Sequence, residues 1–219
     1  MTTSISAGPA IVNMLFGAQP GMCAGHMWLL AHSRSMSAVD VSKRFFTGCR
    51  FTNILDRSLV VGFFASTAGG AMFGVGGIGQ RLAVPRRCLT LDQIDDHVRV
   101  LRAEGISVPV VIVDSNALTL GDDPQQTIRD LRVWAQREAI VVVVIDQLAL
   151  DGALLIKEFG PDWVTEIGSC GYYGLHRMIS MEFDGIFIID KGEDKDLTKV
   201  YLEKHRYELT FSPSRLVVY

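Results

Sequence analysis

MLFGAQPGMCAGH, residues 14–26, has the order of parts that a phosphate-binding loop needs and lacks the groups that do its chemistry. Such a loop leaves an apolar strand, turns on glycines and presents Lys, then Ser or Thr, at the start of a helix. The apolar approach is Ala10–Phe16, the turn is Gln19-Pro20-Gly21-Met22, and Met27–Ser35 reads as the helix that follows. Where the Lys and hydroxyl belong, the sequence has Cys23-Ala24-Gly25. The ammonium that grips the β- and γ-phosphates and the hydroxyl that holds magnesium are therefore both missing. Gln19, Pro20, Gly21, Met22, Cys23, Ala24 and Gly25 are expected to form a degenerate phosphate loop.

The rest of the chain suits one α/β domain. Its 219 residues, 48% of them hydrophobic, can bury one sizeable core, so a single domain over 1–219 is expected. A net charge of −3 gives no overall basic footprint for nucleic acid, so any DNA binding must be local. Four cysteines without CxxC spacing argue against a zinc site or a disulfide framework, which points to reduced thiols and a cytoplasmic setting. No apolar run reaches membrane-spanning length, and the N-terminus has no signal-peptide pattern, so no membrane role is expected.

Short, β-branched apolar runs fit strands buried on both faces of a mainly parallel sheet. They are Ala10–Phe16, Ser58–Ala65, Val108–Val113, Ile140–Ile145, Gly185–Ile189, Lys199–Lys204 and Arg215–Val218. Helical periodicity over 91–104 and 127–138 separates several of them. Asp122-Asp123-Pro124 reads as a helix start, and Asp92, Asp95 and Asp96 as an acidic first turn. Only turns separate the last three runs, which predicts an antiparallel C-terminal extension. The glycine-rich stretch 66–80 and the aromatic- and glycine-dotted stretch 151–178 have no regular pattern.

Three features could carry chemistry. VVIVDS, 110–115, ends a buried strand in Asp114, which suits a magnesium-site carboxylate, or else a residue that caps the following turn through Ser115 and Asn116. VVVVIDQL, 141–148, places Gln147 at a second strand end, where it could face a γ-phosphate or satisfy loop backbone. Lys204 and Arg206 lie on one face of an extended strand; they could reach a neighbouring subunit's phosphate or form a charged edge that discourages pairing. No Ser/His/Asp or Cys/His arrangement stands out among the five histidines.

Taken in order, the loop at 17–25, VVIVDS, VVVVIDQL and VYLEKHRYELTFSPSRLVVY (200–219) resemble the RecA-like ATPase domain of DnaB-type replicative helicases. The segment MISMEFDGIFII, 178–189, is similar to that family's approach to its penultimate strand. The resemblance implies a RecA-like three-layer sandwich. It assigns Asp114 to the magnesium site, Gln147 to γ-phosphate sensing, and Lys204 and Arg206 to the basic pair. It also predicts a catalytic glutamate near Ala65–Thr67, where this chain has Ala-Ser-Thr and no acid stands between Asp56 and Asp92.

The function expected is that of a non-hydrolysing RecA/DnaB-like subunit or regulator in DNA replication or recombination. It would lend Lys204 and Arg206 in trans within a homo- or hetero-oligomer. ATP with magnesium would bind weakly, at a subunit interface, or not at all. The alternatives are an active but atypical ATP-dependent DNA motor, and a DNA- or protein-binding regulator that uses the fold as a scaffold.

Overall fold

The computed structural model describes residues 4–6, 22–33, 36–46, 50–52, 58–65, 81–85, 89–119, 123–148, 179–191, 198–205 and 215–218. The strands are β1 (Ser4–Ser6), β2 (Met22–Cys23), β3 (Met27–His32), β4 (Arg50–Thr52), β5 (Ser58–Phe64) and β6 (Arg81–Pro85), then β7 (Ser107–Asp114), β8 (Val141–Gln147), β9 (Gly185–Lys191), β10 (Thr198–His205) and β11 (Arg215–Val218). The helices are α1 (Ala38–Phe46), α2 (Leu91–Ala103) and α3 (Pro124–Glu138).

Eight strands form the main sheet in the order β11-β10-β9-β3-β8-β7-β5-β6, and β2, β1 and β4 form a small antiparallel sheet. From β9 to β6 every pairing in the main sheet is parallel. The last two strands add the expected antiparallel extension, with Val200 opposite Ile189 and Leu216 opposite Tyr201. The runs read as buried strands behave as such: Val141–Asp146 on β8 and Val110–Asp114 on β7 are buried without a break.

One expectation fails at the centre of the molecule. Met27–Ser35 does not form a helix; Met27–His32 is the central strand β3, with β8 on one side and β9 on the other. Met, Leu and Ala are good helix formers, but propensity is worth well under about 1 kcal/mol per residue. Six consecutive positions buried on both faces outweigh it. The predicted strand Ala10–Phe16 and the two irregular stretches lie outside the described residues.

Chain order fixes the layers. From β3 the chain moves across the sheet towards β5, then returns through β7 to β8. Right-handed crossovers therefore place α1 on one face and α2 and α3 on the other. The core beneath α2 and α3 joins Ile94, Val98 and Leu101 of α2 and Ile128, Leu131 and Trp134 of α3 to Val111, Val113, Val142 and Val144 of the sheet. Helix α3 carries the start signal read from sequence, whereas α2 has Asp92 in its first turn and a capping box besides. Thr90 and Gln93 form a reciprocal capping box on α2, while Asp123 caps α3 with Pro124 in its first turn.

The acidic residues of α2 do more than complement a dipole. Asp95 accepts the Trp134 indole N–H at 2.8 Å and pairs with Arg99 and Arg137, while Glu138 pairs with Arg102 at 2.6 Å and Arg137 at 2.8 Å. The Trp134 hydrogen bond leads in holding the Asp95 carboxyl below its ordinary 3.8, and the Arg137 hydrogen bond does so for Glu138 below 4.5. A depressed folded-state value means stabilisation that is complete above the ordinary value and lost as pH falls through the lowered one. The share of the urea midpoint that these two carboxyls supply should therefore be constant near neutrality and be lost below about pH 4.5. Asp95→Asn should lower the neutral plateau and shrink the acid drop.

Candidate functional site

In parallel α/β sheets, ligands bind beyond the carboxyl ends of the strands. Here that edge is built from His32 at the end of β3 and Ser33 after it, Ala65 after β5, Asp114 and Ser115 at β7, and Asp146 and Gln147 at β8. A phosphate loop requires strand, loop and helix in succession; β3 and α1 form one such succession, with residues 34 and 35 between them outside the described residues. At Cys23–Gly25 the chain instead makes a tight turn into β3, where His26 N–H donates to the Cys23 carbonyl at 2.9 Å. Gly25 has φ +83°, a left-handed conformation that favours glycine, and its N–H donates to the Ile140 carbonyl at 3.1 Å. Its glycine thus serves a strand entry.

The other residues expected in that loop are placed accordingly. Met22 is fully buried in β2, Ala24 lies in the turn, and burial pushes the Cys23 thiol up, which makes it a poor nucleophile. Gln19, Pro20 and Gly21 lie outside the described residues.

The start of α1 offers a phosphate little. The helix opens Ala38-Val39-Asp40, with neither Lys nor Ser/Thr at its head. The Ser37 hydroxyl accepts the Asp40 N–H at 3.1 Å and donates to the Asp40 carboxylate at 2.7 Å. A helix N-terminus attracts anions through free N–H groups and a positive dipole end. Here a hydroxyl takes one N–H and a carboxylate already complements the dipole.

Asp114 has the capping role. One oxygen accepts the Asn116 N–H at 3.0 Å and the Asn116 side-chain amide at 3.2 Å, and the other accepts the Ala65 N–H at 3.1 Å. The carboxylate is buried, closes the short 3-10 turn Ser115–Ala117 and ties the end of β5 to β7. Beside it the buried Ser115 hydroxyl donates to Asp146. Gln147 is half-buried and level with His32 on the neighbouring strand. Asp114 and Gln147 are thus brought to one edge, together with Ser115, expected only as an extension of the Asp114 turn, and with His32 and Asp146, for which the sequence suggests no site role.

His32 is the basic group described at this edge. It is buried, its Nδ1 lies 2.8 Å from the Ser33 carbonyl, and its backbone carbonyl accepts the Leu148 N–H at 2.8 Å. Burial leads in pushing its pKa below 6.5, against the opposing pull of the Ser33 carbonyl, Asp146 and Asp114. A histidine lowered on folding takes up its proton first in the unfolded chain, so stability falls as pH drops below 6.5. Urea midpoints at pH 7.5 and 5.5 should differ in the wild type, and the difference should shrink in His32→Asn.

Lys204 is not part of this cluster within one chain. On β10 it pairs with Ile186, which is level with Leu29, while His32 is level with Ile189. It therefore lies toward the opposite, amino-terminal end of β3 and is separated from that strand by β9. Arg206 lies outside the described residues, as do Ser66 and Thr67 at the expected glutamate position. Among the described residues, no group of three His, Cys, Asp or Glu side chains is placed to hold a metal ion. With three hydrogen bonds already on Asp114 and a carboxylate at the head of α1, the described donors do not fit a magnesium–nucleotide complex.

No protein-family model matches the sequence, and no curated protein matches it. Among solved structures, the RadB recombinase superposes with a TM-score of 0.51 at 13% identity, covering 95% of this chain and 92% of that one. The fold is RecA-like. The RecA-like sheet accounts for the central position of β3 and for the polar residues gathered at its carboxyl edge. No described helix is long and apolar enough to cross a membrane.

The sequence carried a signal for the missed strand–loop–helix unit. Ser37-Ala38-Val39-Asp40 has a capping hydroxyl with an acid three residues on, just ahead of Val41. The denser Gly/Pro punctuation at 17–25 is the more conspicuous signal, and it marks the turn into the strand.

Proposed function

We propose that this chain is a RecA-like domain that does not hydrolyse nucleotide and acts as a subunit or regulator in DNA recombination, repair or replication. The observation that carries this reading is the head of α1. The helix after the central strand begins Ala38-Val39-Asp40 and is capped from within by Ser37 and Asp40. Transition-state stabilisation in phosphoryl transfer depends on a cradling Lys and a hydroxyl-held magnesium. Among the described residues the head of α1 presents no Lys, its Ser37 hydroxyl is taken by Asp40, and Asp114 is engaged as a cap.

Likeness to a recombinase supports the process. The motif order around Asp114, Gln147 and Lys204 supports the narrower kinship with DnaB-type helicases. In this reading the partner is an ATPase-competent RecA- or DnaB-like protein. The position of Lys204, away from its own chain's carboxyl edge, supports a role for it in trans, and the Lys-x-Arg pattern of the sequence adds Arg206 to that role.

The test is ATP hydrolysis by the purified chain with magnesium, alone and with single-stranded DNA. Turnover should be indistinguishable from the buffer blank, and Asp114→Ala should leave it unchanged. Magnesium-dependent turnover that Asp114→Ala abolishes overturns the proposal. Native mass spectrometry of an affinity-purified sample reads the partner directly: a mixed ring supports the subunit role, and a monomer with no partner argues against it.

A further inference from the structure

We draw no further inference here: the strongest candidate, the groove of about 300 Å3 between α2 and α3 rimmed by Arg99, Arg102 and Arg137, carries nothing because Asp95 and Glu138 already engage all three guanidinium groups and nothing in the structure points to an anion beyond them.

Discussion

Gly185→Ala should lower the stability of this protein by about 3 kcal/mol, the upper end of the usual range for overpacking a core. Gly185 opens β9 directly beside Trp28 of β3. A Cβ built on it would fall 2.0 Å from the Trp28 ring carbon Cζ3 and 2.4 Å from Cε3. The indole cannot yield easily, since Trp28 is fully buried and stacks on Phe187 with ring centroids 5.5 Å apart. For a chain of this length the loss corresponds to a fall in Tm of roughly 6–12 °C. Thermal unfolding followed by circular dichroism measures it. Trp28→Leu in the Gly185→Ala background should recover part of the loss, because it removes the ring that the methyl group strikes. A Tm within about 2 °C of wild type for Gly185→Ala alone, roughly 1 kcal/mol or less, would contradict the clash.

Asp184→Ala should cost about as much, roughly 3 kcal/mol, for a different reason. The Asp184 side chain is buried. One oxygen accepts the Met27 N–H at 2.9 Å, and the other pairs with Arg132 of α3 at 3.1 Å. Its own N–H donates to the Met27 carbonyl at 2.7 Å, so one residue closes the start of the central strand and fastens a helix to it. Truncation leaves the Met27 amide and one end of the Arg132 guanidinium without that acceptor, while the other end keeps the Glu182 carbonyl. Because the Arg132 side chain keeps 15% of its exposure, the lower end of the range for a broken buried pair applies. Asp184→Asn keeps an acceptor and gives up the charge, so its urea midpoint should fall between those of Ala and wild type. Equal midpoints for Asn and Ala would assign the whole effect to the ion pair.

The sequence revealed most where strand residues are β-branched. Val108–Val113, Ile140–Ile145 and the three C-terminal runs announce themselves because Val and Ile suit a pleated, doubly buried surface. MWLLAH does not, since its residues serve a helix equally well and only two flanking strands decide the matter. RLAVP is short and ends in proline, and SIS, MC and RFT are too short to show a period. At the site, Asp114 and Gln147 were legible because a polar residue after a buried run marks a strand end. His32 was not, because its strand was read as a helix. Asp146 carries no signal of its own beside Gln147, because its partner Ser115 lies 31 residues away on another strand end.

Seen as a problem of specification, the sheet holds a hidden ambiguity in β7 and β8 that the pairing of β9 with β3 does not share. Val141–Val144 is a run of four identical residues, and Val110-Val111-Ile112-Val113 is nearly one. Sliding either strand by two residues would put similar side chains on the same faces, so hydrophobic pattern alone cannot choose among such alignments. The β9 position opposite Trp28 has to be Gly185, because a Cβ there would strike the ring, so this one pair marks how β9 aligns with β3. A residue with no side chain thereby acts as the index mark that aligns β9 with the central strand.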